Sequence, residues 1–253
     1  GQGTVHLGTY EGISVAGKTL LQASPESIEE TMNEVNFFLK LDHPNCHYLL
    51  GSKTTMENGG IMLLTEVCES GSLFDIYGKA GRKFDTATAH RIARECAVGL
   101  GFIHDIGFMH RDIKSLNVFM SKDMVAKVAD FGMVTSEPTS NEPCGTPQWM
   151  APEVLANYFD QVSYYDKRCD VFSYAILAWE IFHCKIPYGD SGLDQMGVAR
   201  AVLQAGKRMT LGRACPQPIQ TLIVKCWDRE PAKRPTFKEI VEMLDAAAPA
   251  CGV

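Results

Sequence analysis

His110-Arg111-Asp112-Ile113-Lys114-Ser115-Leu116-Asn117 is the stretch on which the fold turns. A carboxylate, an ammonium and a carboxamide fall within one short run of it. The run sits between Phe108 and Gly132, where short apolar segments alternate with polar loop residues. Loops carried on a rigid scaffold are where catalytic groups concentrate. Downstream come Asp130-Phe131-Gly132 and then Ala151-Pro152-Glu153. Gly132 lets the backbone turn sharply just after a carboxylate.

Outward from this stretch the chain divides in character. Residues 1–20 alternate polar and apolar with frequent glycine, which predicts a strand, a loop and further strands. A helix is predicted from Ser24, with Ser24 as N-cap and Pro25 at the first helical position. Ile28, Met32, Val35 and Leu39 then recur at helical spacing, and Ile61 to Val67 is a compact apolar run that predicts a buried strand. From Thr86 the pattern is helical, with Ala89, Ile92, Cys96, Leu100 and Ile103 on one face. The apolar run from Val171 to Phe182 is interrupted by Ser173 and Glu180. It is shorter than the roughly 20 residues of a membrane span, so it predicts a buried core helix. A helix around Leu222 follows, and a last one begins at Thr236, where Thr236 and Glu239 fit a capping box. A strand-rich N-terminal part thus precedes a helix-rich C-terminal part, with the polar motifs at or just after the junction.

The bulk numbers are those of a globular chain: 253 residues, 45% hydrophobic and 21% charged. A net charge of −6 argues against nucleic acid as a partner, since such binders carry basic surfaces. The 9 cysteines include no C-x-x-C pair, which points away from zinc and toward reduced thiols in a cytoplasmic setting. No signal peptide or membrane span is read in the sequence. The chain opens inside a glycine-rich motif, so a domain cut from a longer protein is expected.

The three motifs, in this order and spacing, resemble the signature set of protein kinase catalytic domains, and the resemblance runs over essentially the whole chain. It implies an α+β, bilobal fold. A small β-rich N-lobe with one main helix would cover about residues 1–67 and a larger, mostly helical C-lobe about 68–253. It also implies ATP and Mg²⁺, a protein substrate, and transfer of the γ-phosphoryl group, a reaction that depends on positioning and charge neutralisation. On that basis Asp112 accepts or orients the proton of the substrate hydroxyl, and Lys114 places a positive charge near the group in flight. Asn117 and Asp130 offer the oxygen ligands that Mg²⁺ prefers.

Further positions carry over from the same resemblance. Val15-Ala16-Gly17-Lys18 resembles the V-A-I-K strand, with Lys18 on the α- and β-phosphates. Its expected partner is Glu34, upstream of His43-Pro44-Asn45, while Glu29 and Glu30 read better as a solvated acidic face. Thr65-Glu66-Val67-Cys68 resembles the hinge that binds adenine through backbone groups, with Thr65 at the back of the pocket. Taken alone, this strand reads as core. Val5, Ala16 and Phe119 would enclose the adenine. Phe38, Leu49, His110 and Phe131 would stack as an apolar column between the lobes. Asp170 would brace the backbone around His110 and Arg111, and Glu153 would pair with Arg234, since buried charges need such partners.

Two positions depart from the pattern. Gly1-Gln2-Gly3-Thr4 opens the phosphate-covering motif with Gly1 and Gly3, but His6 then stands at the third glycine. Counting back from Lys18 makes Val5 the valine after the loop, leaving about three residues missing between Thr4 and Val5. Either the loop is shortened or the sequence omits them. Gly17 replaces the usual β-branched residue and weakens its strand. Lys114 and Gly145-Thr146 follow the serine/threonine pattern, whereas Trp149-Met150 is shared with tyrosine kinases. The overall resemblance is to the tyrosine-kinase-like group, including Raf-like and mixed-lineage kinases.

The alternatives are a dual-specificity or tyrosine kinase and a pseudokinase scaffold, the latter favoured only by His6. A small-molecule phosphotransferase fits less well with Ala151-Pro152-Glu153 and the Asp170-to-Arg234 framework. Arg111 leaves a cation in need of a partner, so a phosphate on Thr135, Ser136, Thr139 or Ser140 is the expected switch. Any one of these residues alone reads as polar filler. An upstream kinase or a dimer partner would then act on the domain. Cys68 and Cys144 read as inert thiols.

Overall fold

The computed structural model describes residues 4–20, 35–54, 61–159, 161–213 and 215–253. The predicted Ser24–Pro25 helix start, Ile28, Met32, Gly1, Gly3, Glu29, Glu30 and Glu34 lie outside these residues.

The alternating N-terminal residues form β1 (Thr4–Tyr10) and β2 (Ile13–Leu20), joined by Glu11 and Gly12. Both turn residues have left-handed φ, 51° and 79°, the geometry that lets a two-residue hairpin match strand twist. β3 (Leu49–Thr54) and β4 (Ile61–Glu66) complete an antiparallel four-stranded sheet of order β1-β2-β4-β3. Its register sets Val5 opposite Lys18 and Ala16 opposite Thr65.

This register bears on the expected break after Thr4. β1 runs unbroken, Thr4 pairing Thr19 and Val5 pairing Lys18 in succession, with no bulge between them. Gly3-Thr4-Val5 therefore matches the closing G-x-V of the glycine-rich pattern. His6 lies past the loop, an exposed strand residue opposite Gly17, and replaces no glycine.

Helix α1 is described over residues 35–38, where Phe37 and Phe38 are buried. Leu39, predicted on its apolar face, falls in the following turn and is 76% exposed. The chain then crosses to the helical lobe. The amide of Val128 donates to the Asn45 carbonyl at 2.8 Å, the amide of His47 donates to Val128 at 2.8 Å, and Asn45 Nδ2 reaches the Ala126 carbonyl at 3.0 Å.

The helical lobe is built on α2 (Thr86–Asp105) and α4 (Arg168–His183). Asp85 caps α2 by accepting the Thr88 amide at 2.7 Å, and the predicted face from Ala89 to Ile103 is buried. α4 is buried nearly throughout, as its apolar run predicts. A single π turn (Asp75–Lys79) precedes α2, and between α2 and α4 in sequence lie the β5–β6 hairpin (Val118–Met120, Ala126–Val128) and the short helix α3 (Pro152–Ala156). α5 (Gln195–Ala205), α6 (Gln217–Cys226) and α7 (Phe237–Cys251) close the lobe. The capping box forms as read, the Glu239 amide on Thr236 Oγ1 and the Thr236 amide on Glu239 Oε2. Among the described residues no helix is long and apolar enough to cross a membrane.

Candidate active site

The polar run of the sequence folds into a loop and a 3-10 turn (Ser115–Asn117) ahead of β5, anchored from below. Asp170, in the first turn of α4 and fully buried, accepts the His110 and Arg111 amides at 2.8 Å each and His104 Nε2 at 2.8 Å. Burial opposes its ionisation, yet these donors hold its carboxyl below the usual range. Arg111 takes a left-handed φ of 68°, a turn that the two amide bonds to one carboxylate impose. His110 Nδ1 receives the Asp112 amide at 3.3 Å, which leaves Nε2 to donate to the Ala129 carbonyl at 3.1 Å.

Around Asp112 every expected partner converges. Lys114 Nζ lies 2.6 Å from Oδ2 and 2.8 Å from Thr146 Oγ1, and Thr146 donates to Oδ1 at 2.9 Å. Asn117 Nδ2 donates to Asp112 Oδ2 at 2.9 Å and to its carbonyl at 2.8 Å. With its amide hydrogens so used, Asn117 has Oδ1 to offer elsewhere. The Ala129 amide bonds to the Asn117 carbonyl at 2.9 Å, which brings Asp130 alongside. Asp130 adopts φ 59° and Lys18 Nζ lies 3.7 Å from its Oδ1. Two oxygen donors of hard character thus border the cleft beside Asp112, the kind that magnesium accepts. Gly145 has φ 106°, and a Cβ there would stand 2.6 Å from the Arg111 carbonyl. Only glycine lets the chain pass so close and deliver Thr146.

Phe131 is buried against Phe37, Phe38 and His110, at ring separations of 4.7, 5.2 and 5.6 Å. Leu49 packs at the edge of the same core. Thr65 is buried, and its hydroxyl donates to the Ala16 carbonyl at 3.4 Å. Val5, on β1, is exposed, and Phe119, on β5, packs edge-on against the His47 ring. In the stretch expected to bind adenine through backbone groups, the Glu66 carbonyl meets His47 Nε2 at 3.0 Å, and its carboxylate takes Lys127 and the Tyr48 amide at 2.9 Å each. Cys68 is half-buried, and burial pushes its thiol up to about 12, away from reactivity. Arg234 pairs with Glu153 through both nitrogens, at 2.5 and 2.8 Å, and is itself buried.

Glu180 and His104 are among the groups that escaped the sequence reading. Glu180, taken as a mere interruption of an apolar run, accepts Ser115 Oγ at 2.6 Å, Trp149 Nε1 at 2.7 Å and the Tyr77 hydroxyl. A lone carboxylate inside such a run is itself the signal, since it demands donors. His104, in the last turn of α2, gave no signal apart from its type.

The family model described as protein tyrosine and serine/threonine kinase matches residues 1–244. The chain belongs to the protein kinase family. This kinase domain is 34% identical over 248 residues to the serine/threonine-protein kinase STY17 of Arabidopsis thaliana, covering 96% of this chain and 42% of that protein. It is 34% identical over 250 residues to the probable serine/threonine-protein kinase SIS8 of the same plant, covering 96% and 23%. It is 32% identical over 252 residues to the serine/threonine-protein kinase CTR1, also of that plant, covering 96% and 30%. The kinase domain thus spans less than half the length of these relatives.

Proposed function

We propose that the chain is an active, ATP-dependent protein serine/threonine kinase of the tyrosine-kinase-like group, acting on protein substrates in cytoplasmic signalling. The observation that carries this reading is Asp112, held by Lys114, Thr146 and Asn117 with its carboxylate at the cleft. A substrate hydroxyl brought to this carboxylate is oriented by it and gives it a proton. Lys114, shared between Asp112 and Thr146, neutralises charge where the phosphoryl group passes. Lys18, on β2 beside Asp130, would hold the nucleotide phosphates. Asn117 Oδ1 and the Asp130 carboxylate would hold Mg²⁺, which when bound neutralises charge on the phosphates.

The Lys114–Thr146 contact supports serine or threonine as acceptor, because it is the pairing that the serine/threonine pattern uses. With His6 returned to a strand, no residue of the described site favours a pseudokinase. Free thiols at all the cysteines fit a reducing compartment.

Asp112→Asn is the test. Radiolabelled ATP and a generic protein substrate should show transfer by the wild type and a loss of about 10³-fold or more in the variant. Nucleotide binding, followed by thermal shift, should persist. Transfer retained by the variant would assign the label to a contaminant, or the role to another group. Labelling confined to tyrosine would refute the acceptor class.

A further inference from the structure

Arg111 was expected to await a phosphate from the loop between Asp130 and Glu153, but its guanidinium is engaged by other groups. Nε donates to the Met133 carbonyl at 2.6 Å, and Nη1 lies 2.7 Å from Glu142 Oε2 and 3.5 Å from the Tyr165 hydroxyl. That hydroxyl donates in turn to the Glu142 carbonyl at 2.8 Å. Ser140 and Tyr165 exchange both backbone hydrogen bonds, at 2.9 and 2.8 Å. The segment from 140 to 142 is therefore tied at its start to Tyr165 and at its end to Arg111. The cation is 11% exposed and the carboxylate 63%, so the acid reaches inward from the surface onto a buried base, as a phosphate would have to.

We propose that Glu142 is a positioning residue whose carboxylate takes the seat of a loop phosphate on Arg111, so that this loop is set for catalysis without being phosphorylated. The proposal rests on the kinase reading. The line of action is short. Arg111 is fixed to Asp170 through its amide, and Gly145 passes against the Arg111 carbonyl. The next residue, Thr146, is the one that holds Asp112 and Lys114. Pinning Glu142 therefore limits where Thr146 can go.

Two of the four candidate phosphate acceptors, Ser140 and Thr135, support the same view. Ser140 Oγ already receives the Glu142 amide at 3.1 Å, and a phosphate there would set like charge beside the Glu142 carboxylate. Thr135 exchanges both backbone hydrogen bonds with Met109, at 2.9 and 3.0 Å, and its Oγ1 receives the Glu137 amide at 3.2 Å.

The test compares untreated and phosphatase-treated wild-type kinase, the loop shown unmodified by intact mass, with Glu142→Ala and Glu142→Asp. Phosphatase should leave kcat within about twofold, while Glu142→Ala should lower kcat about three- to tenfold with the KM for ATP unchanged. Glu142→Asp should recover most of that loss, and hydrogen exchange over residues 140–146 should quicken in the alanine variant alone. A collapse of wild-type activity on dephosphorylation, or an alanine variant with undiminished kcat, would overturn the proposal. If the wild type shows no transfer at all, the kinase reading fails first. Unchanged exchange over 140–146 in Glu142→Ala would then still overturn the positioning role, and quickened exchange would uphold it.

Discussion

Glu180→Gln separates the electrostatics beneath the catalytic loop from everything else that titrates. The carboxyl is fully buried, and burial pushes its pKa from 4.5 up to about 7, with Ser115, Tyr77 and Trp149 restraining the rise by hydrogen bonding. Unfolded, the group titrates at its ordinary value. The folded protein therefore binds the extra proton between the two values, so this contribution to stability is full below pH 4.5 and lost as pH rises through about 7. The whole shift corresponds to about 3 kcal/mol, of which about 2.5 kcal/mol is lost between about pH 5 and pH 8. His43, His47 and His183, whose pKa values burial lowers, act in the opposite sense and lose stability as pH falls. The glutamine variant keeps those histidines and removes only the Glu180 titration. Urea unfolding followed by tryptophan fluorescence should therefore give a wild-type-minus-variant stability that falls by about 2.5 kcal/mol from about pH 5 to pH 8. Parallel pH profiles for the two proteins would refute the reasoning.

Gly99→Ala should destabilise despite alanine's better helix propensity, because a Cβ there would lie 2.6 Å from the Asn45 carbonyl oxygen. Overpacking of about 1–3 kcal/mol against a propensity gain of about 1 leaves a lower melting temperature, and an unchanged one would count against the rigidity of that contact. Arg234→Leu strands Glu153 without its bidentate partner and should cost about 3–5 kcal/mol in chemical denaturation. A shift of under about 1 kcal/mol would place that pair among the weak surface bridges.

The sequence made legible what repeats locally. The face of α2 follows from helical spacing, the start of α7 from the Thr236–Glu239 cap, and the loop around Asp112 from types and order of residues. Glu180 stood out by its place in an apolar run, but its donors were opaque because Tyr77, Ser115 and Trp149 come from three separate stretches of chain. Glu142 was opaque because a loop glutamate is indistinguishable from a solvated one until Tyr165 and Arg111 surround it. The placement of His6 went wrong because two early glycines were counted from the front of the motif. Strand register counts from Val5 instead. Leu39 matched a helical period beyond the point where the helix stops, since spacing alone carries no terminator.

The tether at residues 45–47 has a mechanical meaning. Asn45 and His47 are hydrogen-bonded into the hairpin of the helical lobe, and Cys46 lies against α2, its Sγ 3.6 Å from the Gly99 carbonyl. This strip follows α1 in the chain but is hydrogen-bonded to the other half of the molecule, with His47 also reaching back to the Glu66 carbonyl of the sheet. Any rocking of the sheet against the helices would therefore pivot near this strip, a bearing that both halves hold. The chain has to flex on both sides of that bearing, ahead of Asn45 and again beyond Glu66. Gly99 is where the bearing is machined to fit.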